Sequence, residues 1–169
     1  MKNIFVAVAI AFMNLSAFAA EKSQTNVGNG SMMTAVKKLE LSADGDPKKG
    51  THSYYYQYWD MKKMSMAAAK KAAPGLCEFR AIIKDGPKAI TIPAKSKYKI
   101  SNTERSQEGG ELPAGCLVLD AVFEGNETVS TPQLQIACCS EKPLATDAQQ
   151  SAFTQLVEKS LKPLVVFSR

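Results

Sequence analysis

Four cysteines, a lone histidine and a run of tyrosines are the residues of this chain best suited to chemistry. A thiol nucleophile would need Cys77, Cys116, Cys138 or Cys139 free and beside His52. A Ser–His–acid triad would likewise have to use His52, and no G-x-S-x-G is present. There is no C-x-x-C, no H-E-x-x-H and no cluster at zinc spacing, so no metal or cofactor is implied. No glycine-rich loop has phosphate-binding spacing, which argues against a nucleotide ligand. Paired carboxylates of the glycosidase kind are a matter of spatial separation, which sequence does not reveal. No catalytic residue is assigned.

The N-terminus points to export, and export decides what the cysteines do. Lys2, the apolar run Ile4 to Met13 and Ala17-Phe18-Ala19 read as a cleaved signal peptide over 1–19. Nothing after it is long and apolar enough for a transmembrane helix. The short charged start has a bacterial look, which predicts a periplasmic or secreted protein. Asn126-Glu127-Thr128 matches a glycosylation sequon, a triplet common by chance. Residues 20–33 are polar and rich in Gly and Asn, reading as a flexible mature N-terminus. Residues 34–169 make a single domain, long enough for a real core. In an oxidising compartment an even cysteine count favours two disulfides over free thiols.

The elements that position these residues centre on Cys116 to Ser140. Leu117, Leu119, Ala121 and Phe123 alternate with Val118, Asp120 and Val122, and Leu134, Ile136 and Cys138 alternate likewise. That is the period of two half-buried strands. Glu124 to Thr128 supplies a turn, so the pair should be antiparallel. Keeping both apolar sets on one face sets Leu119 against Ile136, Ala121 against Leu134 and Leu117 against Cys138. Cys116 then falls opposite Cys139. Leu76 to Lys84 is a further strand, with Cys77, Phe79, Ala81 and Ile83 on one face. Two pairings stay open: Cys77–Cys138 with Cys116–Cys139, or Cys77–Cys116 with a strained vicinal Cys138–Cys139 bond.

Thr34 to Leu41 and Thr51 to Trp59 flank a turn-rich segment and read as a first hairpin. Asp60 is a good N-cap for MKKMSMAAAKKAAPG, which predicts a helix over about 61–73 ended by Pro74-Gly75. Thr146 to Gln149 has capping-box spacing, and Phe153, Leu156, Val157 and Leu161 recur at helical spacing, predicting a second helix over about 147–162. Lys88 to Ile92, Lys97 to Ser101 and Leu164 to Phe167 suggest short strands, and Asn102 to Gly115 a long loop. The expected fold is α+β: an antiparallel β-sheet with two α-helices, stapled by disulfides.

Charge is uneven along the chain. From Lys37 to Lys99 fourteen basic and six acidic residues give +8, whereas from Ile100 to Arg169 five basic and nine acidic give −4. Such asymmetry can mark an anionic partner, unless the halves interleave in space and their fields cancel. Alternation places Tyr54, Tyr56 and Tyr58 on one face and Tyr55, Gln57 and Trp59 on the other. Tyr55 and Trp59 suit core packing. The outward tyrosines, with Lys62 and Lys63 nearby, suit a binding surface. The sequence thus predicts an exported, non-catalytic binding or inhibitor-like module for a protein or an anionic cell-envelope partner. An exported enzyme, hydrolase or thiol-based, and a structural envelope protein are the rivals.

Overall fold

In the computed structural model, which describes residues 25–125 and 131–169, the chain is built outward from its central strand pair. Its elements are β1 (Met32–Ala35), β2 (Leu39–Ala43), β3 (His52–Asp60), β4 (Ser65–Ala67), β5 (Leu76–Lys84), β6 (Ala89–Ile92), β7 (Lys97–Arg105), β8 (Leu117–Phe123), β9 (Gln133–Cys138), α1 (Asp147–Leu161) and β10 (Val165–Ser168). Strands β8 and β9 pair antiparallel, with Leu117 opposite Cys138, Leu119 opposite Ile136 and Ala121 opposite Leu134. The register is the one that keeps both apolar sets on one face. The signal segment 1–19, the sequon at Asn126 and most of the connecting turn lie outside the described residues. From Thr25 onward the stretch read as a flexible lead-in is bonded to the body: Glu158 accepts from the Thr25 hydroxyl and the Asn26 amide, and Val27 is buried.

Strand β5 extends the sheet on β9, setting Cys77 opposite Cys138, and β3 runs antiparallel to β5 through all nine of its residues. Disulfides join Cys77 to Cys138 and Cys116 to Cys139, the first of the two pairings left open by the sequence. Two disulfides fit an oxidising, exported environment.

The full order is β10-β1-β7-β8-β9-β5-β3-β2-β6, with β4 added beside β3. Strands β1 and β2 stand second from opposite ends of this path, yet only residues 36–38 separate them in sequence. So short a connection spans at most about 14 Å, so the two ends must lie close. The sheet therefore curls into a half-barrel. The link between β6 and β7 crosses the same gap, where the Lys95 N–H donates to the Ala35 carbonyl at 2.7 Å. Inside the curl sit Leu41, Tyr55, Phe79, Ile100, Leu119 and Ile136, all buried. Helix α1 packs on this core with Phe153, Val157 and Leu161, and the Trp59 indole N–H donates to the Ser160 carbonyl at 3.0 Å.

The expected α+β class with two helices is corrected: the fold is mostly antiparallel sheet, 43% strand, with one short helix among the described residues. The second helix forms as its capping box foretold, with Thr146 and Gln149 bonding reciprocally. The helix over 61–73 does not form. Asp60 does cap, accepting from the amides of Lys62 and Lys63, but it caps a single turn. Met64 then takes a left-handed φ of 51° and sends Ser65–Ala67 back along β3 as β4. Helix propensity lost to context here: the alanine- and lysine-rich segment has little apolar face to bury, and Met64 and Met66 remain exposed. The segment instead pairs with the last residues of β3, Tyr58 to Asp60, beyond the point where β2 pairs with it. The expected first hairpin is also divided. Its first arm splits into β1, which joins β7 and β10, and β2, which joins β3 and β6.

Candidate binding face on the outer side of the sheet

Residues that alternate away from the core line up in cross-strand rows on the outer face. One row runs Tyr56, Arg80, Gln135, Asp120, Asn102 across β3, β5, β9, β8 and β7. A second runs Tyr58, Glu78, Ala137, Val118, Glu104 across the same strands. On the other side of the first row lie Tyr54 opposite Ile82, and Gln133 opposite Val122.

The row through Arg80 is polar and hydrogen-bonded along its length. Arg80 donates one guanidinium N–H to Glu111 at 2.7 Å and another to Gln135. Gln135 donates to Asp120 at 2.8 Å, and Asn102 donates to the same carboxylate at 3.2 Å. Burial works against the Arg80 charge, but Glu111 and Glu78 more than offset it and hold its pKa above the ordinary range.

The row through Glu78 is covered except at its end, Glu104, which is exposed. Tyr58, Glu78, Val118 and Ala137 are buried, yet Tyr58, Val118 and Ala137 stand apart from the main core cluster. Tyr58 and Glu78 line a cleft with residues 70–72 and, from the 106–115 loop, Glu111 and Leu112. Glu78 is only 4% exposed. Burial pushes its carboxyl above the usual carboxylate range, against the pull of Arg80, the Tyr58 hydroxyl and the Ala72 amide. Tyr58 is pushed up in turn, first by burial and then by Glu78.

The third side of the face is open and partly apolar: Tyr54 is 42% exposed, Ile82 49% and Val122 41%. Tyr54, Tyr56 and Tyr58 stack along β3 with ring centroids 6.3 and 6.1 Å apart and planes within 11°. That spacing is close to the rise of two strand residues. The rings stand side by side on one face of the strand, in a ladder that passes from open face to covered cleft. The cleft has a volume of about 240 Å³, with Asp44, Lys70, Lys71, Glu78, Arg80 and Glu111 as its charged lining.

Of the residues singled out by sequence, the three tyrosines do come together. Lys62 and Lys63 lie elsewhere: Lys63 pairs with Asp60 at 3.4 Å, and Lys62 borders an apolar groove between α1 and residues 140–144. The cations beside the tyrosines are Lys70, Lys71 and Arg80 instead. The displacement follows from the missing first helix, because β4 carries the chain back and brings 70–71 over the tyrosine face. His52 is exposed at the start of β3 and has no thiol to activate, since all four cysteines are bonded. Glu78, Arg80, Asp120 and Gln135 were not singled out beforehand. For Glu78 and Arg80 the signal was present: charged residues alternating with Cys77, Phe79 and Ala81 in a strand otherwise fit for burial. Among the described residues, no group of acidic, histidine or cysteine side chains could hold a metal ion, and no helix is long and apolar enough to cross a membrane. No protein family, curated protein or solved structure matches the chain.

Proposed function

We propose that the protein is an exported, non-catalytic binding module, working in the periplasm or outside a bacterial cell and engaging a protein or cell-envelope partner with the outer face of its sheet. The observation that carries this reading is the open strip of Tyr54, Ile82 and Val122 beside the hydrogen-bonded Arg80 row. Large apolar side chains exposed together and rimmed by polar ones are characteristic of interaction surfaces. The tyrosines add rigid contact area that costs little entropy on binding. Disulfides and a signal-like start support the compartment.

The test is cosedimentation of the mature protein with the envelope fraction of its own cells. Retention should drop severalfold for Ile82→Glu and for Tyr54→Ala, and should be unchanged for Leu156→Glu, an exposed position on α1. Equal retention of all three variants, or none of the wild type, would discard the face as the binding surface.

A second reading has one observation behind it. Glu78 is a buried carboxyl whose pKa burial raises, in a cleft that also holds Glu111, and this is the kind of group an exported hydrolase would use as a general acid. Hydrolysis of model glycosides that vanished in Glu78→Gln would favour it.

A further inference from the structure

We infer that the loop residues Glu111 and Leu112 stand in for a partner: the cleft beside Tyr56 and Tyr58 is a site for an extended acidic peptide segment, carboxylate first and apolar residue next, and the chain's own loop lines it and holds Arg80 until displaced. The inference rests on the binding-face reading above and gives that face a ligand class.

Arg80 is the fixed half of the site. Its side chain is 16% exposed and sits mid-strand between Tyr56 and Gln135, neither of which carries the opposite charge. A guanidinium so far withdrawn from water needs a carboxylate. Asp120, one strand beyond Gln135, is engaged with Gln135 and Asn102. Glu78 acts on Arg80 through its charge, but its hydrogen bonds go to Tyr58 and the Ala72 amide. The carboxylate that reaches Arg80 comes instead from 31 residues along the chain, and the Glu111 side chain is 78% exposed.

The loop is built to deliver that carboxylate. Its root is fixed: Ser106 accepts from the amides of Cys116 and Gly115 and donates to Pro113, and Cys116 is tied to Cys139. Above the root, residues 107–110 are exposed, and Gly109 turns the tip with a φ of 82°, where a side chain would be strained. Past the tip, Glu111 lands on Arg80 and Leu112 lines the cleft beside the tyrosines. An ion pair with one partner this exposed shifts an equilibrium only severalfold. A second carboxylate followed by an apolar side chain could therefore replace it. Lys70 and Lys71, on the far wall, would favour an acidic newcomer, while Asp44 on the same lining would oppose one. The group that Arg80 already holds is a carboxylate on a peptide chain, which makes an acidic peptide the ligand that fits.

The experiment is NMR titration of the mature, isotopically labelled chain with acetyl-Gly-Glu-Leu-Pro-amide, its Gln analogue and sodium acetate. The acidic peptide should shift the amide signals of Tyr56, Arg80 and Lys70. Glu111→Gln, a change at an exposed side chain that leaves the fold intact, should bind it about fivefold tighter than the wild type because the internal competitor is gone. Arg80→Gln, and the Gln peptide on either background, should weaken binding at least tenfold. Equal affinity of wild type and Glu111→Gln would overturn the stand-in role. Acetate acting as well as the peptide would reduce the site to a bare anion pocket and overturn the peptide class. No shift with any ligand would overturn the inference altogether. Envelope retention that still depended on Tyr54 and Ile82 would in that case leave the binding-face reading standing.

Discussion

Removing the two disulfides one at a time should show which of them holds the sheet and which holds the loop. The bridges overlap, since Cys116 lies inside the loop closed by Cys77–Cys138, with separations of 61 and 23 residues. With Cys116–Cys139 intact, Cys77–Cys138 closes an effective loop of about 40 residues, namely Cys77 to Cys116, across the bridge, then Cys139 to Cys138. With Cys77–Cys138 intact, Cys116–Cys139 still closes its own 23. Loop-closure entropy then assigns about 3.9 kcal/mol to the first and about 3.4 kcal/mol to the second. Cys77 and Cys138 belong to the main core cluster and Cys116 and Cys139 lie outside it, but all four are buried. Two sulfurs deleted from either pair add about 1 kcal/mol for the space they leave. The pair Cys77→Ala/Cys138→Ala should therefore cost about 5 kcal/mol and Cys116→Ala/Cys139→Ala about 4.4 kcal/mol. Urea unfolding followed by fluorescence of the single, buried Trp59 measures both. If the Cys116–Cys139 deletion were the costlier of the two, the assignment of the core role to Cys77–Cys138 would be refuted.

Two further changes probe the cleft and the sheet. Because burial raises the Glu78 carboxyl, the folded chain holds its proton more tightly than the unfolded chain. The stability it contributes is fully present below the unfolded value of about 4.3 and is lost as pH rises through the higher folded value. Glu78→Gln should thus compare worst with the wild type at pH 4 and gain on it toward pH 7; a urea-midpoint difference independent of pH would sink this account. At Gly86, an added Cβ would meet the Tyr55 hydroxyl and lie 3.0 Å from its ring carbon Cζ and 3.2 Å from Ile83 Cγ2. The Tyr55 ring is fully buried and its hydroxyl is committed to the Pro87 carbonyl at 2.6 Å, so it has little room to yield. Gly86→Ala should cost about 1–3 kcal/mol by overpacking, and thermal unfolding equal to the wild type would show that the turn gives way instead.

Where the sequence was legible, two independent constraints agreed. Alternation fixed which faces of β8, β9 and β5 turn inward, and the cysteines at Cys77, Cys116, Cys138 and Cys139 demanded a register in which they could meet. Thr146 and Gln149 likewise marked the start of α1 by local bonding that needs no tertiary partner. The segment 61–73 had only propensity to recommend it. Propensity is a fraction of a kcal/mol per residue, and the unpaired end of β3 offered its backbone groups a better set of partners. Thr34 to Leu41 failed for a related reason. Local pattern marks a strand, but it does not reveal that Val36 to Lys38 carries the chain from one end of a curled sheet to the other.

The same distinction explains why the tyrosines were visible and the residues that give them meaning were not. Tyr54, Tyr56 and Tyr58 share a face by the period of one strand, which sequence alone displays. Arg80 and Gln135 join them only through two strand pairings, and Glu111 only through a loop anchored by a disulfide. Lys62 and Lys63, close in sequence, were carried off by the turn at Met64, while Lys70 and Lys71 were brought in by β4. The basic half of the chain does not act as one block: its Arg80 is neutralised by Glu111 from the acidic half. Charge asymmetry along this sequence is therefore partly cancelled in space at the site where a partner would read it. If the cleft takes an acidic peptide as proposed, what it offers is an exchange of one carboxylate for another at Arg80, rather than a broad attraction to anions.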